Sequence, residues 1–286
     1  LNTMTEQKYL IKTMTEAEIA LAVDWAASEG WNPGHRDAAC FYQGDRQGFF
    51  IGLLEGEPIA TISAVKYNQE FGFIGFYIVK PEYRGKGYGW QIWQRALDYL
   101  GGCNIGLDGV LTQQANYQKS GFHLAYRNIR YQGITSGEVP SSPHLVPLDA
   151  IAWEDILVYD HRCFPAPREE FLRTWCHQPE HQAIAYQEDG ILRGYGVLRP
   201  CRVGYKIGPL FADTPEVAEI IFLALKAIPA VENAIYLDVP EPNQAAIALA
   251  TKYSLQVVFE TARMYTGQAP SIPLDKIYGV TSFELG

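Results

Sequence analysis

The sequence is poor in cysteine, in basic residues and in long apolar runs, and each shortage excludes a class of protein. Its 5 cysteines are irregularly spaced and form no CxxC pair, which indicates reduced thiols in a cytoplasmic protein rather than a disulfide framework. A net charge of −9 argues against general nucleic-acid binding, which needs a basic face. No apolar run approaches the roughly 18 residues of a membrane span, and the first ten residues contain no apolar signal core. We therefore expect neither a nucleic acid nor a membrane as a partner.

A metal site is not predicted either, although several potential ligands lie close together in the chain. Pro179 separates two of the histidines and spoils an i,i+4 pair on one helix. No standard zinc spacing fits the cluster. We interpret its members as packed or surface residues: His161, Cys163, Cys176, His177 and His181.

The chain is long enough for one large domain or two ordinary ones. Its 286 residues are 48% hydrophobic and 19% charged, which is typical of a soluble globular protein with a substantial core. The stretch "GITSGEVPSSPHLVP" at 133–147 is rich in Gly, Ser and Pro and lacks periodicity, which favours a linker. We predict a first domain at 1–135, a linker at 136–147 and a second domain at 148–286.

The two halves carry the same series of local patterns. Two apolar runs joined by an acidic residue and a glycine, which predict a strand pair, occur at 50–65 and at 183–198. An apolar strand follows at 71–79 and at 203–211, with Gly75 and Gly208 in register. We therefore predict two copies of one α/β unit, each a mixed twisted sheet flanked by helices. The remaining predicted elements are opening helices at 15–29, 36–43, 149–160 and 167–176, later helices at 89–100 and 215–228, strands at 104–111 and 234–241, and closing segments at 118–133 and 251–267.

The stretch "KPEYRGKGYG" at 80–89 lies between a predicted strand and a predicted helix, where free amides and the helix dipole favour an anion. Glycine lets the backbone approach a phosphate closely, and Arg84 and Lys86 add positive charge. The Walker A spacing is absent. A dinucleotide-binding fingerprint is excluded because Trp90 stands where the third glycine is required. The remaining pattern is RxxGxG, which Arg84 to Gly89 match without gaps.

Two motifs together carry a resemblance to a known family. "YIVKPEYRGKGYGWQIWQRAL" and, after a predicted helix and strand, "NYQKSGF" at 116–122 resemble the two acetyl-CoA motifs of the GCN5-related N-acetyltransferase (GNAT) superfamily. "ASEGWNPGHRDAACFY" at 27–42 resembles a subgroup in which a second, degenerate GNAT-like domain follows the first. The likeness spans nearly the whole chain and is strongest over 71–132.

The resemblance implies an N-acetyltransferase with acetyl-CoA as co-substrate and no metal. It implies that Tyr117 is the general acid that protonates the leaving thiolate, and that a backbone N–H near Val79 stabilises the oxyanion. The pantetheine arm would pair with strand 77–79 as an added strand, and the amides of 85–89 would hold the pyrophosphate. The residues expected to bind acetyl-CoA are Tyr77, Ile78, Val79, Arg84, Gly85, Lys86, Gly87, Tyr88, Gly89 and Asn116.

The sequence departs from the family pattern at one position. Val110 stands where the family has an asparagine seven residues before the tyrosine, which leaves open which amide contacts CoA. The general base is also open, between a carboxylate and water. The candidate carboxylates are Asp37, Glu70 and Asp108, and the candidate acceptor contacts are Trp31, Asn32 and His35.

The second copy lacks the residues that carry this chemistry. "ADTPEVAEI" at 212–220 replaces the glycine turn, and Ala250 stands in the place of Tyr117. We therefore expect one active site per chain, which acetylates a small-molecule or peptide amine. A non-catalytic CoA-binding sensor and a longer acyl donor are the alternatives. No pattern predicts an oligomeric state.

Overall fold

A computed structural model describes residues 8–286 and confirms two copies of a mixed α/β unit. The sequence predicts no signal core in the first ten residues, and residues 1–7 of that stretch lie outside the described residues. The first copy consists of β1 (Tyr9–Thr13), α1 (Glu16–Ser28), α2 (Asp37–Tyr42), β2 (Phe49–Leu54), β3 (Glu57–Lys66), β4 (Phe71–Val79), α3 (Tyr88–Tyr99), β5 (Asn104–Val110), α4 (Gln114–Lys119) and β6 (His123–Ile134).

The second copy repeats this order and adds a short strand near its end. It consists of β7 (Leu145–Pro147), α5 (Trp153–Cys163), α6 (Glu169–His177), β8 (Gln182–Glu188), β9 (Ile191–Pro200), β10 (Tyr205–Ala212), α7 (Pro215–Lys226), β11 (Ala234–Pro240), α8 (Gln244–Lys252), β12 (Gln256–Tyr265) and β13 (Ile277–Gly279). Helix α5 begins four residues later than the sequence predicts, because residues 148–150 form a separate 3-10 turn. Across residues 8–286, no helix has the length and hydropathy of a membrane span.

Both predicted strand pairs close through turns that their sequences favour. Glu55 and Gly56 have φ of 50° and 86°, and Asp189 and Gly190 have φ of 52° and 74°. Positive φ at both central residues is typical of the tight hairpin turn that matches strand twist. An acidic residue followed by glycine therefore fixes the register of β2 with β3 and of β8 with β9.

The strands form one continuous sheet in which the copies exchange their closing strands. The order is β1-β2-β3-β4-β5-β12-β6-β11-β10-β9-β8-β7, with β13 beside β10. Strand β12 of the second copy lies between β5 and β6 of the first, and β6 pairs in turn with β11 of the second. The last three residues of the predicted linker form β7, which pairs with β8. The domain boundaries at 135 and 148 stay a prediction.

Helices cover both faces of the sheet. Apolar residues of α1, α2, α5 and α6 share one core with the strands of both copies. On the opposite face, α3 packs on the first copy, and α7 and α8 pack on the second. The shared layer joins the copies on one face, whereas each copy keeps its own helix layer on the other.

The segment 280–286 is buried throughout its length. It leaves β13 and crosses the shared-layer face from the second copy to the first. The amide of Val280 donates to the Asp238 carbonyl of β11, and the Leu285 carbonyl accepts a hydrogen bond from the Tyr67 hydroxyl. A Cβ at Gly75 would collide with the carbonyl of Glu284, and one at Gly208 would lie 2.6 Å from the Val280 carbonyl. The two glycines that the sequence places in register therefore make room for the same segment.

Candidate active site

The glycine turn presents unpaired backbone amides at the start of α3. Gly85 and Gly87 have φ of 74° and 88°, which glycine adopts readily. A Cβ at either position would meet no atom within 4 Å, so backbone conformation rather than crowding favours glycine there. Within residues 8–286, no acceptor pairs with the amides of 85–89. These free amides and the dipole of the 12-residue helix that follows would together favour an anion at this place.

Arg84 connects the turn to two neighbouring elements. Its Nε donates to the Val79 carbonyl at 2.7 Å, and its Nη2 donates to Glu29 just after α1 at 2.7 Å. The guanidinium therefore ties the end of β4 and the end of α1 to the turn. Lys86 extends into solvent with its ammonium 5.6 Å from the centre of the Tyr83 ring. Two positively charged side chains are expected beside a phosphate. Lys86 is less constrained than Arg84, which is already bound to Glu29 and the Val79 carbonyl.

Strands β4 and β5 diverge beside this turn. They pair from Phe71 to Ile74 only, and residues 75–79 then pair with β3 alone among the described strands. A bulge at Phe76, with φ of 49°, interrupts the register with β3, and Thr61 donates to the Phe76 carbonyl at 2.8 Å. The result is an open wedge, bounded on one side by the main chain of 77–79. This is the geometry predicted for binding an extended ligand by strand addition.

Tyr117 lies on the far wall of the wedge. It projects from α4, and its ring packs on Gly109 of β5, where any Cβ would overlap the ring. The ring of Trp93 lies 5.6 Å away, centre to centre. Burial and the neighbouring Tyr77 raise the pKa of Tyr117 to about 12, so its phenol is protonated at neutral pH. Asn116 is exposed and donates to Gln113 at 2.6 Å.

Two of the three carboxylates considered as a general base are already paired. Asp37 is fully buried, and its Oδ1 accepts from Arg199 at 3.0 Å. Burial opposes ionisation of Asp37, but Arg199, Lys206 and the Gly34 amide hold the pKa of its carboxyl below its ordinary value. These contacts give Asp37 a structural role.

The other two candidates differ in their surroundings. The carboxylate of Asp108 accepts from Arg263 Nη2 at 2.6 Å and from Asn128 at 2.8 Å, which also gives it a structural role. Glu70 lies at the start of β4, at the opposite end of the strand from the wedge. No carboxylate expected from the sequence is therefore both unpaired and beside the wedge.

The predicted acceptor contacts Trp31 and Asn32 are hydrogen-bonded to residues of both copies. The Asn32 side chain donates to the Val203 carbonyl at 2.9 Å and accepts from the Val203 amide at 2.8 Å. The Trp31 carbonyl accepts from Arg130 at 2.9 Å and from Lys206 at 3.2 Å. These bonds join the segment after α1 to β6, to β10 and to the turn that precedes β10.

His35 lies in a shallow surface groove formed with Arg36, Glu180 and Pro200. Arg36 makes two hydrogen bonds of 3.0 Å to Glu180 across this groove. The groove contains none of the residues of the wedge. The structure therefore brings the glycine turn, 77–79 and Tyr117 together, and places His35 outside that group.

The second copy has the corresponding wedge, but its own chain fills it. Strands β10 and β11 pair from Tyr205 to Ile207, and β13 then pairs with Leu210 and Phe211 of β10 and contacts β11. At the start of α7, Thr214 caps the helix by accepting from the Val217 amide. Strand β13 therefore lies where a cofactor would pair with β10. The Thr214 side chain binds a backbone amide at the start of α7, and the segment 212–220 lacks the glycine turn.

The histidines and cysteines between 161 and 181 pack separately. Cys163 and Cys176 are buried, and burial raises the pKa of each thiol. His181 is buried with its Nδ1 2.7 Å from the Trp175 carbonyl, and burial lowers its pKa to about 4. Within residues 8–286, no three or more His, Cys, Asp or Glu side chains converge as metal ligands.

Sequence reasoning missed two residues at this site. Glu29, the partner of Arg84, stands 55 positions earlier, and nothing local marks it. Trp93 lies on the buried face of α3, where a tryptophan is normally interpreted as a residue of the hydrophobic core. The only available signal was its position, one helical turn after the last glycine of the turn.

Comparisons with known proteins identify the same family in both copies. A family model described as Acetyltransferase (GNAT) family matches residues 17–123, and one described as Acetyltransferase (GNAT) domain matches residues 156–279. The holothin acyltransferase of Pseudoalteromonas sp. (strain SANK 73390) is 30% identical over 282 residues, 98% of this chain and 95% of the relative.

Solved structures share the fold. A candidate acetyltransferase from Pyrococcus horikoshii superposes with a TM-score of 0.83 at 23% identity and covers 100% of this chain and 99% of its own. A tandem GNAT protein from the clavulanic acid biosynthesis pathway has a TM-score of 0.62 at 12% identity and covers 92% of this chain and 100% of its own. At these identities the likeness concerns the fold alone.

Proposed function

Because this chain belongs to the GCN5-related N-acetyltransferase (GNAT) family of acyltransferases, we propose that its first copy transfers the acetyl group of acetyl-CoA to a primary amine. The observation that carries the proposal is the juxtaposition of three features. Unpaired amides at 85–89 lie at the mouth of the open β4–β5 wedge, and the Tyr117 phenol lies on its far wall. The second copy keeps the fold without this combination, which supports one active site per chain.

The residues of the wedge fit acetyl-CoA in chemistry and in order. The free amides of 85–89 suit the pyrophosphate, and Lys86 adds an exposed positive charge. The main chain of 77–79 has no strand partner on the β5 side, so it suits the two amides of the pantetheine arm. The thioester would then lie between β4 and Tyr117.

The reaction would proceed by direct attack. The amine nitrogen forms a bond to the acetyl carbonyl carbon, and the C–S bond breaks with its electron pair moving to sulfur. Tyr117 donates its proton to the developing thiolate, and a backbone N–H near Val79 stabilises the oxyanion. Since Asp37 and Asp108 are held in ion pairs, we assign the proton released by the amine to water. Tyr117 regains its proton from solvent after CoA leaves.

The acceptor is proposed to be a small molecule. The 30% identical relative is named for acylation of holothin, which supports a small-molecule amine over a protein N-terminus. The five cysteines are unpaired, which supports the proposed cytoplasmic location.

The test is release of free CoA from acetyl-CoA in the presence of a panel of amines. In Tyr117→Phe, we expect kcat to fall by about 10²–10⁴-fold, with little change in the Kd of acetyl-CoA. Tyr253→Phe, which removes a phenol paired with Glu219 in the second copy, is the matched control and should keep full activity. Unchanged turnover in Tyr117→Phe would remove this residue from the role.

The main alternative, a non-catalytic CoA sensor, predicts a different pattern. The wild-type protein would then bind acetyl-CoA, yet no amine in the panel would release CoA. Profiling longer acyl-CoA donors in the same assay tests whether acetyl is the preferred group.

A further inference from the structure

Trp93 contains a buried hydrogen-bond donor that the fold does not use. Its side chain lies on the inner face of α3 and is 3% exposed. Its indole N–H has no acceptor among the described residues. Buried polar groups in native proteins nearly always have a partner, and an orphan is costly to keep. Trp93 is one of five described residues with such an atom, so it is the location of this donor that points to an acceptor from outside the chain.

The surroundings of Trp93 locate that acceptor in the wedge. The Trp93 ring lies between two tyrosines, with ring centres 5.1 Å from Tyr77 and 5.6 Å from Tyr117. Tyr77 comes from the part of β4 that has left β5, and Tyr117 packs on Gly109 of β5. The buried indole of Trp93 thus lies between side chains from the two walls of the wedge, where the strands part.

Position along α3 indicates which part of a ligand would reach the indole. Trp93 stands four residues after Gly89, about one helical turn deeper than the phosphate-binding amides. A group attached to the pyrophosphate and running into the wedge would pass at this depth. An indole N–H donates only, so the ligand must supply an acceptor at that point.

We propose that Trp93 is a binding residue for the pantetheine arm of acyl-CoA, with its indole N–H donating to an amide carbonyl of the arm. The inference rests on the proposed function for the identity of the ligand. An amide carbonyl is the strong acceptor of the arm, whereas sulfur is a weak one. The contact favours a ligand with an amide about one helical turn beyond the glycine turn. It therefore distinguishes acyl-CoA from a nucleotide that has the pyrophosphate but no pantetheine arm.

Two ligands separate this contact from general damage to the site. In Trp93→Phe, we expect the Kd of acetyl-CoA to rise by about five- to thirtyfold, as for loss of one hydrogen bond. The Kd of ADP, which has the pyrophosphate but no arm, should stay within about twofold of the wild-type value. Trp153→Phe, a substitution on α5 of a tryptophan bonded to Glu169, is the matched control and should change neither value.

Spectroscopy tests the donor without a substitution in the measured protein. The sequence has 6 tryptophans, and the indole ¹H–¹⁵N signal missing in Trp93→Phe identifies Trp93. We expect acetyl-CoA to shift this signal downfield and ADP to leave it unchanged. The inference is overturned if acetyl-CoA binds without moving the signal, or if Trp93→Phe weakens both ligands equally. If the wild-type protein binds no acetyl-CoA at all, the proposed function itself fails.

Discussion

The exchange of closing strands predicts that neither half of this protein folds alone. The perturbation is to divide the chain in its exposed segment, as fragments 1–140 and 141–286. The first fragment then loses β12, which pairs with β5 from Val110 to Gly106 and with β6 along most of its length. The second fragment loses β6, which pairs with β11 over seven residues.

The size of the loss follows from what β12 contributes to the first copy. Met264 and Tyr265 are 0% and 2% exposed, and full burial of each such side chain contributes about 1.5–3 kcal/mol. Removing Arg263 leaves the Asp108 carboxylate without its guanidinium, and breaking a buried pair costs about 3–5 kcal/mol. Together these losses reach roughly 6–11 kcal/mol, which equals most of the 5–15 kcal/mol that stabilises a typical domain.

The assay compares the fragments separately, mixed, and generated in place. We expect each fragment alone to show no cooperative unfolding in urea by circular dichroism. When a protease site inserted after Glu138 is cut in the folded protein, the two pieces should stay together on size-exclusion chromatography until denaturant is added. A fragment 1–140 that unfolds cooperatively as a monomer would refute the reasoning and support independent domains.

Three further predictions concern single residues. Asp238→Asn leaves Arg130 buried without the carboxylate that it contacts at 2.7 Å and 2.9 Å, so we expect the free energy of unfolding in urea to fall by about 3–5 kcal/mol; a change below about 1 kcal/mol would contradict this. His181 has a folded-state pKa of about 4 against about 6.5 unfolded, so its contribution to stability is complete above pH 6.5 and falls by about 2 kcal/mol by pH 5. The variant His181→Gln should therefore lose less Tm between pH 7 and pH 5 than the wild type, and equal losses would argue against a neutral buried imidazole. Gly75→Ala places a Cβ against the main chain of 280–286 and should lower Tm by several degrees, whereas Gly137→Ala, whose Cβ has only ordinary contacts, should not.

Structural features that depend only on residues adjacent in the chain were predictable from the sequence. The acidic residue and glycine at 55–56 and 189–190 fix their hairpins through backbone preference alone. The glycine turn at 85–89 follows from local chemistry in the same way. The repeat was visible because each copy uses the same local patterns in the same order.

The strand exchange was not predictable for a physical reason. The closing segments 118–133 and 251–267 have the same pattern, so either one satisfies the hydrogen bonds and faces of either position. The choice between them depends on contacts such as Arg263 with Asp108, which stand 155 residues apart. Local patterning contains no information about such a pair.

The site was predictable to the extent that it is made of backbone. The amides at 85–89 and the strand end at 77–79 lie where the motif places them. Side-chain roles were harder, because Arg84, expected beside a phosphate, instead binds Glu29 and the Val79 carbonyl. Asp108, considered as a base, has a guanidinium partner that only the fold supplies.

Strand β13 limits the evolutionary options of the second copy. A duplicated domain that had lost only its glycine turn would need a few substitutions to regain a cofactor site. Here the chain itself pairs with β10 where a ligand would bind, and that strand leads into the buried segment 280–286. Restoring glycines after β10 would therefore create a phosphate site with no room for the rest of the molecule. Point mutations alone would therefore not give the second copy a cofactor site, because part of the core that both copies share would also have to be removed.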